Sequence, residues 1–215
     1  MSLQQFMNKQ FPGLELRQPL FYSWPVGIRF KLGVSDGSDS IHEQTAYLPG
    51  VYERAISLFE ALHAPEDKIY FVVDVHEFGS GHALRRKLNV FAKYVKTRSV
   101  LYRLQQDTRL FVYPEDNEDG TYRTHRFSLR CQRSDLRYEA LLKAIGHQDM
   151  GRRPMVDDLV YFVNETKRTI FQVYDDRGCD LVGAEVDTLR SLYEQFNDWI
   201  LDYDRAEIDK VFDQK

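Results

Sequence analysis

VYFVNETKRTIFQVYDDRGCDLVGAEVDTLRSLYEQFNDWILDYDRAEID, residues Val160 to Asp209, is the run on which the reading of this chain turns. Leu159 to Val163 and Thr169 to Tyr174 are apolar runs on either side of Asn164 to Arg168, which predicts a hairpin. Leu181-Val182 predicts a third, short strand. Leu189, Leu192, Tyr193, Phe196, Trp199, Ile200 and Tyr203 then recur every three or four residues, the stripe of a core-facing helix. Asp204-x-x-Glu207 resembles a capping box for a last helix, with Ile208, Val211 and Phe212 turned inward.

Upstream, strand and helix signals alternate. Leu3, Phe6 and Met7 predict a short helix ending at Pro12-Gly13. Ile28, Phe30 and Leu32 alternate with Arg29 and Lys31, a half-buried strand. After the SDGSDS loop, Ser35 to Ser40, Pro49 suits the first turn of a helix carrying Val51, Ala55, Leu58, Phe59 and Leu62. Ile69 to Val75 is almost continuously apolar, as in a strand covered on both faces. A helix with Leu84, Leu88, Phe91, Tyr94 and Val95 follows. Val100 to Tyr102 and Leu110 to Tyr113 read as short strands, and Phe127, Leu129 and Cys131 alternate with charged neighbours as another. Ser134 is placed to cap a helix with Leu136, Leu141, Leu142 and Ile145.

The expected fold is therefore α/β (or α+β): a mixed sheet with packed helices, parallel in type in the first half and an antiparallel meander plus helices in the second. Residues 1–146 form the main body, 147–154 (HQDMGRRP) a linker, and 155–215 the meander and C-terminal helices, packed on the body as one unit.

The 215 residues are 43% hydrophobic and 13% aromatic, enough for a real core, and the net charge is −4, too small for a strong global field. Basic residues concentrate between Arg85 and Arg133 and acidic ones beyond Asp175. The basic ones are spread over several elements without a dense block, which argues against nucleic acid as a partner. Met1 to Gln10 is polar and amphipathic and does not read as a signal peptide, and no apolar run reaches bilayer length, so a cytoplasmic location is expected. Cys131 and Cys179 form neither a CxxC pair nor a zinc pattern. A buried free thiol is the expectation for Cys131.

Two clusters could carry chemistry. Gly79, Ser80, Gly81 and His82 follow a buried strand and open a helix, with Arg85 beyond, an arrangement that can cradle an anion on helix N–H groups. It lacks the third glycine of a dinucleotide fingerprint and the Gly-Lys-Ser/Thr of a P-loop, and a tight turn capped by Ser80 or His82 explains the same residues. His76 and His82 are too far apart for a helical HExxH pair. The second cluster is Asp175, Asp176, Arg177 and Asp180, with Asp202 further on: carboxylates at a strand end can hold a divalent ion or act as acid and base, and Cys179 beside Arg177 suggests a thiol of low pKa. A turn explains them too, with Asx residues starting it, Gly178 giving a positive φ, and Arg177 pairing with Asp202 or Asp204. No motif calls for a cofactor, and no catalytic residue is assigned.

Tyr174-Asp175-Asp176-Arg177-Gly178-Cys179-Asp180 and Trp199-Ile200-Leu201-Asp202-Tyr203-Asp204-Arg205 resemble the YDDRGxD and WxLxYxR signatures of an uncharacterised bacterial domain-of-unknown-function family. Gly27 to Leu32 and Tyr52 to Leu62 are similar to that family as well. The resemblance implies a bacterial α/β domain and brings no substrate or catalytic residue. The expected function is a protein-binding or regulatory, immunity-like module whose partner is another protein. The alternative is a nucleotide- or metal-dependent enzyme with its site at the Gly79–Gly81 turn or the Asp175–Asp180 turn.

Overall fold

The computed structural model describes residues 1–33, 41–79 and 89–213, without the side chains of 41–46 and 149. Its framework is a seven-stranded sheet of order β1-β7-β6-β5-β2-β4-β3. The strands are β1 (Gly27–Lys31), β2 (Lys68–Glu77), β3 (Gln105–Leu110), β4 (Arg123–Gln132), β5 (Leu159–Asn164), β6 (Thr169–Val173) and β7 (Gly178–Gly183). The helices are α1 (Leu3–Gln10), α2 (Ile41–Leu62), α3 (Val90–Tyr94), α4 (Tyr138–Ile145), α5 (Asp187–Gln195) and α6 (Arg205–Phe212).

Every pairing is antiparallel, which corrects the expectation of a parallel first half. The apolar run of β2 is covered on both faces, as read, but not by βαβ crossovers. Ile69, Phe71, Val73 and Val75 face the larger core under α2 to α6, while Tyr70 and Val72 face a second core with α1, Leu14, Leu16 and Leu20. Continuous hydrophobicity reports cover on both faces; it does not report strand direction. The sheet joins β5, β6 and β7 to β1 on one side and to β2 on the other, so strands from both sides of 147–154 interleave.

Local chemistry explains several elements. Ser2 and Gln5 form a reciprocal capping box at the start of α1. The β5–β6 hairpin turns on Asn164, whose Oδ1 accepts from the N–H groups of Thr166 and Lys167, both at 2.9 Å. Helix α2 starts before Pro49 and holds it inside, so Pro49 does not mark the first turn. Arg98–Arg103 is a 3₁₀ turn where a strand was expected, and β3 lies after it. Arg133–Asp135 is likewise a 3₁₀ turn, and α4 starts after Arg137 without a side-chain cap from Ser134. The helical stripe from Leu189 ends at Gln195. A 3₁₀ turn over Asn197–Trp199 follows, then Ile200 is extended and bridges Phe30 of β1. The SDGSDS loop, Leu84 and Leu88 lie outside the described residues.

Candidate functional site

The turn between β6 and β7 gathers three of the predicted residues. Asp175 Oδ1 accepts from the N–H of Arg177 at 2.7 Å, an Asx turn, and Asp175 Oδ2 accepts from Arg177 Nε at 2.7 Å and from its Nη2. Asp176 Oδ2 accepts from the hydroxyl of Tyr47 on α2 at 2.7 Å. Gly178 has no positive φ; a Cβ there would come within 2.6 Å of the Tyr174 hydroxyl and 2.9 Å of the Phe30 carbonyl. Close approach of β1, not turn conformation, explains this glycine. Cys179 is fully buried and free, and burial pushes its thiol well above the ordinary value, the reverse of an activated nucleophile. Cys131 is also buried and free, pushed up to about 12 by burial.

Asp180 and Asp202 separate. Asp180 points to the α1 side of the sheet and is fully buried; its Oδ1 accepts from Arg29 Nε at 3.1 Å and its Oδ2 from the N–H of Phe21 at 3.1 Å. Burial raises its carboxyl above the ordinary range in spite of those donors. Arg29 also donates from Nη1 to Asp204 Oδ2 at 3.3 Å and to the Tyr22 hydroxyl at 2.9 Å, and from Nε to the Tyr174 hydroxyl at 3.2 Å. Tyr22 in turn donates to Asp204 Oδ1 at 2.8 Å. One guanidinium thus ties together β1, β7, the N-terminal segment and the start of α6. Asp204, expected as a cap, makes no side-chain cap bond and serves this network instead. Asp202 carries the exposed role: its side chain is 96% exposed, 3.8 Å from Arg205. Arg177 therefore pairs with Asp175 where Asp202 or Asp204 was expected.

The Gly79 turn is described only at Gly79, which has φ +73, a conformation suited to glycine. Ser80, Gly81, His82 and Arg85 lie outside the described residues. Near it, Thr108 Oγ1 lies 2.9 Å from His125 Nδ1, and His125 Nε2 lies 2.7 Å from Glu77 Oε2. Hydroxyl, imidazole and carboxylate in a line is the order of a nucleophile, base and orienting acid. Here β-register alone produces it, because Thr108 and His125 are direct cross-strand partners. A second buried pair holds the middle of the sheet: Arg126 donates to both oxygens of Asp74 at 2.8 and 2.6 Å and to Glu15 at 2.9 Å. Two further basic residues of the middle pair with acids, Arg130 with Glu165 and Arg133 with Glu60. Among the described residues no group of three or more His, Cys, Asp or Glu side chains is arranged to hold a metal ion, and no helix is long and apolar enough to cross a membrane.

The family described as "Domain of unknown function (DUF3885)" matches residues 3–204. The chain belongs to this family. It is 32% identical over 212 residues to "Uncharacterized protein YnaE" of Bacillus subtilis (strain 168), with 94% of this chain and 99% of that protein covered. No solved structure matches it. The match to the DUF3885 family takes in both the Asp175–Asp180 turn and Asp204, the two ends of the Arg29 network. Sequence reading did not find Arg29, since a charged residue alternating with Ile28 and Phe30 reads as the wet face of a strand. Its signal would have been a buried acid on a neighbouring strand, and Asp180 is 151 positions away.

Proposed function

We propose that this DUF3885 protein is a protein-binding module of regulatory, immunity-like type, and that it presents its C-terminal tyrosine and acid patch to a partner with a basic surface. The observation that carries this reading is the fixation of Tyr22: the residue is 57% exposed, yet its hydroxyl is held by both Asp204 and Arg29, and the Arg29 guanidinium lies 4.9 Å from the ring centroid. An exposed aromatic ring locked before binding loses little rotamer freedom on contact, which suits an interface anchor. Tyr203, 86% exposed, is near enough for its phenol to act on Tyr22, and Asp202 is next to it in sequence. A fixed tyrosine, an exposed tyrosine and an exposed carboxylate together favour a cationic protein surface.

Affinity capture from the native host, followed by titration of the captured protein against purified variants, tests the reading. Tyr203→Ala is expected to weaken binding by roughly 30-fold, the effect of losing one aromatic anchor of about 2 kcal/mol, with no change in melting temperature. Equal binding by wild type and Tyr203→Ala, or no protein retained by the wild type, sinks it.

A further inference from the structure

The opposite end of the sheet supports a second interaction that the C-terminal patch does not involve. β3 is the last strand of the order, and five of its six residues are exposed. Such an edge offers a row of backbone donors and acceptors to any strand that fits, and among the described residues it carries few of the devices that blunt edges. Exposed large apolar side chains gather on it and beside it: Tyr102 at 78%, Leu104 at 37% and Leu110 at 75%. On the α1 side a groove of about 580 Å³ runs along the same edge, lined among others by Gln4, Gln105, Asp107, Arg109 and Ser128.

The order of side chains along β3 selects an occupant. In an antiparallel pair of identical strands related by a two-fold axis through a continuous sheet, directly opposed residues lie on the same face, so only every second register is allowed. With Thr108 on the axis, Asp107 opposes Arg109 of the other copy and Arg109 opposes its Asp107. Thr108 meets Thr108, and exposed Leu110 comes diagonal to exposed Leu104 of the other copy. Shifting to either adjacent allowed register puts Asp107 against Asp107 or Arg109 against Arg109, and like charges directly opposed are destabilising. We propose that β3 pairs edge to edge with β3 of a second copy of this chain, in the register centred on Thr108, joining two seven-stranded sheets into one across the dimer.

Sedimentation and oxidative crosslinking test this on the full chain. The wild type is expected to shift from one to two copies as concentration rises. Asp107→Arg should abolish the shift, since it sets arginine against arginine, and Asp107→Arg combined with Arg109→Asp should restore it. Crosslinking does not depend on those charge changes. On the axis the paired Cα atoms stand about 4.5–5.5 Å apart, within disulfide reach, so Thr108→Cys should give a covalent dimer. Gln105→Cys, roughly 20 Å from its equivalent in this register, should not. The native Cys131 and Cys179 are buried and do not compete. A wild type that stays monomeric at every concentration overturns the proposal, as an edge reserved for another protein's strand would. So does a dimer that survives Asp107→Arg, or crosslinking equally fast at positions 105 and 108. None of these outcomes touches the Tyr203 reading, which rests on the other end of the molecule.

Discussion

The two edges of one sheet are built by opposite means. At β1 the outer backbone is occupied: Ile200 bridges Phe30, and the N–H of Leu201 donates to the Arg29 carbonyl at 2.9 Å. The charges there are interior, with Asp180 fully buried and Arg29 only 15% exposed. At β3 the backbone faces outward, and the charges are surface ones that double as register marks. The lesson is that the chain's C-terminal run, from the β6–β7 turn to α6, closes an edge. Its turn delivers Asp180 and its last helix delivers Asp204, both to a guanidinium on β1.

The contrast breaks most directly by removing an arginine from each edge. Arg29→Met leaves Asp180 buried without its cation and is expected to destabilise by about 3–5 kcal/mol. Arg109→Met removes a pair with Asp107 and Glu15, whose side chains are 61% and 46% exposed, and should cost about 1 kcal/mol or less. Urea denaturation of the two variants decides. Equal losses would mean that burial of the charge does not set the difference between the edges.

Next in size is an acid response that belongs to the closed part of the molecule. His63 at the end of α2 is buried, stacked on Phe59 at 4.2 Å, and its Nδ1–H donates to the Phe59 carbonyl at 2.9 Å. Burial lowers its pKa from 6.5 to about 4. The unfolded chain therefore takes up this proton at a higher pH than the folded one. The stabilising contribution is full above pH 6.5 and is lost as pH falls toward 4, by about 3 kcal/mol in all. His63→Phe keeps the ring stack and removes the titration, so stability measured between pH 6.5 and 4 should flatten relative to wild type. An unchanged slope would show that another group carries the acid response.

How much of this was legible in the sequence follows the range of the interactions. The β5–β6 hairpin, helix α1 and the two-sided cover of β2 are local or compositional, and each was readable from its own residues. The antiparallel order was not, because β1 finds its partner about 150 positions away. Periodicity also overran the end of α5: Tyr203 fits the stripe by spacing, but the chain leaves the helix before it, and Tyr203 is exposed. The roles of Asp202 and Asp204 were exchanged for the same reason. A cap motif explained Asp204 locally and left Asp202 over, whereas only the distant Arg29 and Tyr22 reveal which carboxylate is structural.

A smaller effect of opposite sign tests the closed half from within. The Gln172 side chain is fully buried, directly across from Asp180 in the β6–β7 ladder, and neither its amide nitrogen nor its oxygen has a hydrogen-bond partner among the described residues. An unsatisfied buried amide costs more than an apolar group of similar shape. Gln172→Leu should stabilise by about 1 kcal/mol in thermal and urea unfolding. A loss instead would show that this amide is satisfied in solution, by water or by Asp180.

At the open edge the smallest change is expected. Leu110 is 75% exposed and packs little of its surface in the single chain, so Leu110→Lys should move the stability of the dilute monomer by less than about 0.5 kcal/mol. Concentration separates this from any role at an interface. Association that buries Leu110 stabilises the folded state by mass action, so the wild-type melting temperature should rise with protein concentration. A lysine on an edge strand opposes pairing. The melting temperature of Leu110→Lys should therefore match the wild type when dilute and fall behind it when concentrated. A gap that is already present at the lowest concentration would place Leu110 in the fold of the single chain, and the two edges would then differ less than their exposure implies.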